Sequence, residues 1–209
     1  MNYYIINLKG NVVESSNIYE KTPFIEKDNA FAMDRFYVLK EKLIARKKTK
    51  LILIVMHNDF KAFPGHYEEI YRYLKDLKEA GKELFFYAKA YELRELYLAS
   101  ICQHRLMPAS GTVVHYGFST GNIFLKNLLD LLNIKAEIYR RGKYKGAADT
   151  FRLSAIDEAQ KEAISLLIKR ILEIMEDTVR ENISTGEDFI SELKTGSFLV
   201  LPRPWRKGW

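Results

Sequence analysis

Six consecutive apolar residues, Leu51-Ile52-Leu53-Ile54-Val55-Met56, constrain this chain more than any other feature it carries. The run is rich in β-branched side chains and far shorter than a buried helix, so it predicts a strand; the lack of any polar alternation predicts burial on both faces. A strand of that kind needs helices above and below it, which is the situation of a parallel sheet in an α/β domain.

The flanking sequence supplies those helices. Tyr3–Leu8 reads as a first strand, with Lys9-Gly10-Asn11 as its turn signal. Apolar positions at helical spacing (Phe31 to Phe36, Leu39, Leu43, Ile44) predict a helix before the apolar run. Ile70, Leu74 and Leu77 predict one after it, with Gly81 just past its end. Further along, Leu84–Tyr87 is expected as a strand, Leu93–Ser100 as a helix, Thr112–Val114 as a short strand, Ile123–Leu132 as a helix and Ala136–Tyr139 as a strand. Ser154 with Asp157 three residues later predicts a capped start for the longest helix, whose apolar face is Ile164, Leu167, Ile168, Ile171, Leu172, Met175 and Val179. Strands alternating with helices over 209 residues, with no repeat and no Pro/Gly-rich hinge, give a single α/β domain with a largely parallel sheet.

Composition narrows the function classes. The single Cys102 excludes an internal disulfide and a zinc site built from several thiolates. No apolar run approaches the ~20 residues needed to span a bilayer, and the start, Met1-Asn2-Tyr3-Tyr4, lacks the regions of a signal peptide. The chain is therefore expected to be soluble, with no address of its own. A net charge of +6 hints at an anionic partner. Its clusters are Arg46-Lys47-Lys48 with Lys50, Arg140-Arg141 with Lys143 and Lys145, and Arg203, Arg206 and Lys207. No nucleic-acid motif accompanies them, and each reads as a solvated edge, loop or tail.

Phosphate-binding loops, dinucleotide fingerprints and nucleophile elbows are all missing from the sequence. His57, Asp59 and His66 share one loop after a buried strand, where α/β proteins often bind ligands, but their spacing is irregular for a metal. Neither a metal nor any other cofactor is implied.

Three stretches carry more. Leu96-Tyr97-Leu98-Ala99-Ser100, then Gly117-Phe118-Ser119-Thr120-Gly121-Asn122, then Arg141-Gly142-Lys143-Tyr144-Lys145-Gly146-Ala147 resemble, in order and spacing, the bacterial signal peptide peptidase (protease IV) family. The likeness runs from about Tyr3 to about Asn182 and is strongest to the amino-terminal domain of two-domain members. It implies a crotonase-like fold, a superhelix of strand–strand–helix units, over residues 1–182, with 183–209 as an atypical tail rich in Pro, Trp and Arg.

In that family hydrolysis uses a serine nucleophile and a lysine base, and the resemblance puts the base at Lys145. A free lysine, with a pKa of about 10.4, is protonated at neutral pH; burial or a neighbouring cation is needed to make it usable, and Arg140, Arg141 and Lys143 are close in sequence. The nucleophile is not matched. Complete members carry Ala-Ser-Gly-Gly where this chain reads Glu92-Leu93-Arg94-Glu95, so Leu93 takes the serine's place. The oxyanion turn is matched only by a trace, Pro64-Gly65, with His66 where a second glycine would stand. Four other serines are available, Ser100, Ser110, Ser119 and Ser154: Ser100 is expected to be packed and Ser154 to be a helix cap, and Ser119, in the glycine-containing turn, is the least implausible alternative nucleophile.

The resemblance thus implies a serine-peptidase-family domain that supplies the lysine of a Ser/Lys dyad and lacks its own serine. By the same resemblance the substrates are remnant signal peptides, the partner is a second copy or a serine-bearing domain, and the setting is bacterial and membrane-associated. Two other readings stay open: a non-catalytic structural subunit of the same fold, and a crotonase-like enzyme acting on acyl thioesters.

Overall fold

A computed structural model describes residues 2–15, 30–139, 141–142, 146–183 and 189–194. The chain divides into two compact units: Met1–Tyr116 with Met175–Trp209, and Gly117–Ile174.

The first unit is built on a parallel sheet. Strand β1 (Asn2–Leu8) is followed by β2 (Asn11–Val13), β3 (Ala30–Ala32), α1 (Met33–Ala45), β4 (Thr49–Met56), α2 (Pro64–Glu79), β5 (Glu83–Ala88), β6 (Ala90–Tyr91), α3 (Leu93–Ser100), β7 (His104–Leu106) and β8 (Thr112–Val113). The main sheet runs β1-β4-β5-β7, every pair parallel, with Ile5 opposite Leu53 and Leu53 opposite Phe85. Parallel neighbours cannot be joined by a tight turn, and helices α1, α2 and α3 are the crossovers.

A smaller second set of pairings lies beside the main sheet. After β1 the chain turns at Gly10, whose φ of 71° is the left-handed conformation glycine adopts without strain. It then enters β2, which pairs with β3 and bridges to Lys61 beyond β4. After β5 and β7 come β6 and β8, which pair with each other. Each main-sheet strand is therefore followed by a short pairing off the sheet. Tyr91 ties the two together, its buried hydroxyl donating to Phe86 O at 3.1 Å and Leu106 O at 3.0 Å.

Ile6, Leu8, Ile52, Ile54, Leu84 and Phe86 from the sheet and Leu43, Ile70, Leu74, Leu77, Leu96 and Leu98 from the helices make the core. Each such side chain contributes about 1.5–3 kcal/mol of burial. The apolar run at β4 alternates buried and half-buried residues, so the expectation of full burial on both faces holds for one face only. At the end of α2, Gly81 has φ 77°, the left-handed stop the sequence predicts. Two buried lysines are paired: Lys40 bonds Asp76 at 2.8 Å and Glu41 at 2.9 Å, and Lys82 donates to Arg46 O at 2.9 Å and Thr49 O at 3.0 Å.

In the second unit α4 (Lys126–Leu131) and α5 (Asp149–Arg152) precede α6 (Glu158–Asn182), which continues from Met175 into the first unit's residues; α7 (Phe189–Lys194) follows there, with Ile190 and Leu193 buried. Three expectations fail here. Ala136–Tyr139 is not a strand: no neighbour pairs with it among the described residues, and Tyr139 is 93% exposed. The longest helix starts at Glu158, and Ser154 does not cap it. Asp157 does, its Oδ1 accepting the Gln160 N–H at 2.8 Å, because an acceptor immediately before the first turn reaches the free N–H groups that one three residues earlier misses. Along α6 only the last two residues of the expected apolar face, Met175 and Val179, are buried, while Leu167 is 61% exposed.

Candidate active site

The position that the sequence resemblance gives to the nucleophile is the first residue of α3. Leu93 is 3% exposed there, part of the core. The polar residues around it bond one another. The Glu92 N–H donates to Glu95 Oε2 at 3.0 Å, and Arg94 pairs with Glu92 at 2.7 Å. Burial raises the Glu95 carboxyl above its ordinary range, against the pull of Arg94 and of the backbone N–H groups it accepts. Tyr67, near the start of α2, is fully buried, and burial pushes its phenol up to about 12, with Arg94 acting the other way. A packed leucine ringed by an ion pair and a buried phenol offers no atom able to attack a carbonyl.

The turn before α2 is closed in a similar manner. Pro64 opens the helix at a position where its missing N–H costs nothing. His66 folds back so that Nδ1 accepts the Phe63 N–H at 3.2 Å, and its Nε2 bonds Glu14 Oε1 at 2.9 Å. The Phe63 donor is thereby occupied. His57 bonds Asn7 Oδ1 at 3.1 Å, so the histidines of this loop have separate partners and do not converge. Ser100 is buried and donates to Tyr97 O at 2.8 Å, as expected of a packed serine; Ser110, Ser119 and Ser154 are exposed.

Lys145 lies outside the described residues, as do Arg140, Lys143 and Tyr144. The residues that follow it are described. Gly146 and Ala147, with Asn122 of the Gly117–Asn122 stretch, line one hollow of about 280 Å³ with Gln160, Ala163 and Ile164 of α6. Two of the three stretches that carry the family resemblance meet at this hollow. The backbone there is held by Asp149, 1% exposed: Arg152 Nε donates to its Oδ1 at 2.8 Å and Gln160 Nε2 to its Oδ2 at 3.0 Å. The Leu125 N–H donates to Thr150 O at 2.7 Å, which ties the segment after Asn122 to the segment after Lys145. Asp149 and Gln160 were not expected from the sequence. Their one signal is spacing, since Asp149-x-x-Arg152 and Asp157-x-x-Gln160 each put two polar partners one helical turn apart.

A family model described as Peptidase family S49 matches residues 76–199, which include both of these stretches and all of α3. The chain belongs to peptidase family S49. This is the signal peptide peptidase (protease IV) family that the sequence resembles, a family of serine proteases. The chain is 30% identical over 132 residues to a chloroplastic serine protease, SPPA, of Arabidopsis thaliana, covering 61% of this chain and 20% of that protein. It is 30% identical over 128 residues to Protease 4 of Salmonella typhi (59% and 21%), and 35% identical over 78 residues to Protease 4 of Haemophilus influenzae (37% and 13%). The match to each therefore spans about a fifth of its length or less. No helix among the described residues is long and apolar enough to cross a membrane.

Proposed function

We propose that this chain supplies the lysine half of a Ser/Lys peptidase site, with Lys145 as general base and the nucleophilic serine coming from a second chain or domain. The observation that carries the reading is the meeting of Asn122 with Gly146-Ala147 at one hollow, which brings the stretch before the lysine loop to the residues directly after Lys145. The burial of Leu93 supports the other half of it, a serine from elsewhere. In the reaction the amine of Lys145 must be neutral. It takes the proton from the partner's serine hydroxyl as that oxygen attacks the peptide carbonyl, and returns a proton to the leaving amine.

Remnant signal peptides, apolar and presented near a membrane, are the proposed substrates, and a crotonase-like superhelix of strand–strand–helix units over residues 1–182 is the proposed fold family. The short pairings that follow each main-sheet strand support that fold. Self-association is part of the same reading; Leu128, Leu131, Leu132, Ile134, Leu166 and Leu167 of the second unit are each more than half exposed, apolar surface that a second copy would cover.

The test is cleavage of an apolar fluorogenic peptide by the chain alone, by the chain with a serine-bearing S49 domain, and by both with Lys145→Ala. The expected result is no turnover alone, turnover in the mixture, and its loss in the variant. Turnover by the lone chain that depends on Lys145 would refute the half-site reading. A subunit that keeps the fold without the chemistry is the second reading, favoured by the occupied Phe63 N–H at the oxyanion turn. It is selected if Lys145→Ala leaves the mixture fully active.

A further inference from the structure

The turn from α1 into β4 gathers positive charge that the described fold does not answer. Arg46, Lys47, Lys48 and Lys50 are all exposed there, and none of them forms an ion pair among the described residues. Elsewhere in the first unit Lys40, Lys75 and Arg94 each meet a carboxylate. Between Glu41 and Asp59 the chain has no acidic residue, and the adjoining strand β1 has none either. Glu83 of β5, opposite Leu51, is bonded to His104 at 2.8 Å.

A further cation is tied to the same turn. Lys82 is 5% exposed; its ammonium donates to Arg46 O at 2.9 Å and Thr49 O at 3.0 Å and meets no carboxylate among the described residues. The carbonyls at a helix C-terminus favour a cation, and that accounts for Lys82. The other basic side chains are left over, because Lys42 O already takes the Arg46 N–H and Arg46 O takes the Thr49 N–H, each at 3.2 Å. A buried ammonium without a counter-charge is costly, so the turn as a whole lacks an anion.

A hollow of about 410 Å³ opens at this place, lined by Asn2, Ala45, Arg46, Lys47, Lys48 and Thr49. Asn2 stands opposite Thr49 in the sheet, so the start of β1 forms one wall. The space is many times the ~30 Å³ of a water molecule, which leaves room for an anion and the group that carries it. A guanidinium fork, two ammonium groups and an amide suit an anion with several oxygens and more than one negative charge.

We infer that this hollow is a binding site for phosphoryl groups, with Arg46, Lys47 and Lys48 supplying the charge and Asn2 a neutral donor. The group comes from a soluble phosphate ester or from a phospholipid headgroup; the chemistry recognised is the same. Asn2 and residues 46–50 lie outside the stretch 76–199 that carries the family match, so the site stands apart from the peptidase reading.

The test uses the full chain, the variant Lys47→Gln/Lys48→Gln, and a control of equal charge, Lys75→Gln/Lys161→Gln, each checked for an unchanged far-UV spectrum. The probes are inorganic pyrophosphate, followed by titration calorimetry, and vesicles of phosphatidylglycerol with phosphatidylcholine, followed by co-sedimentation. Sodium chloride at matched ionic strength and vesicles of phosphatidylcholine alone are the blanks. The parent should bind at least one probe. The hollow variant should bind it about tenfold more weakly or worse, the loss of charge-assisted hydrogen bonds, and the control should bind as the parent does. In the parent the bound probe should slow acetylation of Lys47 and Lys48 and leave Lys75 and Lys161 at their free rates.

Pyrophosphate binding without vesicle binding supports a soluble ester, and the reverse supports a headgroup. Binding of neither probe overturns the site. Equal weakening in both variants also overturns it, because the attraction would then belong to the net charge of +6 and not to this hollow. Should the hollow variant misfold, the acetylation pattern of the parent decides alone: protection confined to Lys47 and Lys48 supports the site, and protection spread over all four lysines overturns it.

Discussion

His115 Nε2 meets Glu176 Oε1 at 3.0 Å, with 7% and 6% of the two side chains exposed. The carboxylate also receives Lys194 of α7 at 2.7 Å and Arg180 at 3.5 Å, so one buried acid joins the segment after β8 to the end of α6 and to α7. Removing the acid strands a buried imidazole. Glu176→Ala should lower stability by about 3 kcal/mol, the cost of breaking a buried pair from one side. Asp177→Ala, which removes the exposed partner of the same Arg180, should change it by less than about 0.5 kcal/mol. Urea unfolding midpoints of the two variants check the contrast; equal shifts would contradict it.

Glu95 predicts a pH dependence of the opposite sign to most carboxylates. Burial raises its pKa in the folded chain, so the ionised form is disfavoured by folding. Its effect on stability is nil below the ordinary carboxylate range, grows as pH rises through that range to the raised value, and then stays constant as a deficit. Glu95→Gln keeps an acceptor for the Glu92 N–H and removes the charge. The variant should be more stable than the parent at pH 7 and equal to it near pH 3, as read by thermal melts at both.

Cys102 should be silent in the native chain. It is 2% exposed, and burial pushes its thiol up to about 12, so neither access nor thiolate is available at pH 8. An aromatic disulfide reagent should label it only at the rate of unfolding and completely in 6 M guanidinium, a condition at roughly which most domains are unfolded. Prompt labelling of the native chain would show that the end of α3 opens.

Two glycines of the first unit should respond oppositely to alanine. Gly81 has φ 77° with open space around a Cβ, so the whole cost of Gly81→Ala is backbone strain, about 1–2 kcal/mol. Gly65 has no neighbour within 4 Å and sits in the first turn of α2 without a positive φ, so Gly65→Ala should stabilise by about 0.4–1 kcal/mol. Thermal melts of the two variants decide it. The second result also bears on the oxyanion turn, since a glycine kept there for close approach of a substrate would be selected by function and not by fold.

Much of the first unit was legible in the sequence because its signals are local. The apolar run at Leu51–Met56, the spacing Ile70-Leu74-Leu77 and the stop at Gly81 each dictate backbone conformation over a few residues, and α3 begins and ends where expected. The second unit was less legible. Ala136–Tyr139 has the composition of a strand but no partner among the described residues, and a strand without a ladder leaves its backbone groups to water. The apolar stripe of α6 predicts a buried face, yet burial depends on the surface that meets it: Met175 and Val179 are buried, Ile164, Ile168, Ile171 and Leu172 are half-buried, and Leu167 is exposed.

The sequence by itself determined the α/β class, the parallel order of strands and helices, the family, and Lys145 as the residue to ask about, because periodicity, turn residues and short motifs are written along the chain. Only the tertiary structure decided that Leu93 is packed, that His66 takes the Phe63 N–H, that Glu176 gathers three basic side chains, and that Gln160 fills the place of a side chain at Gly146. Those relations join residues 3 to 61 positions apart, or turn on which way one side chain faces, and no local preference of the chain encodes them.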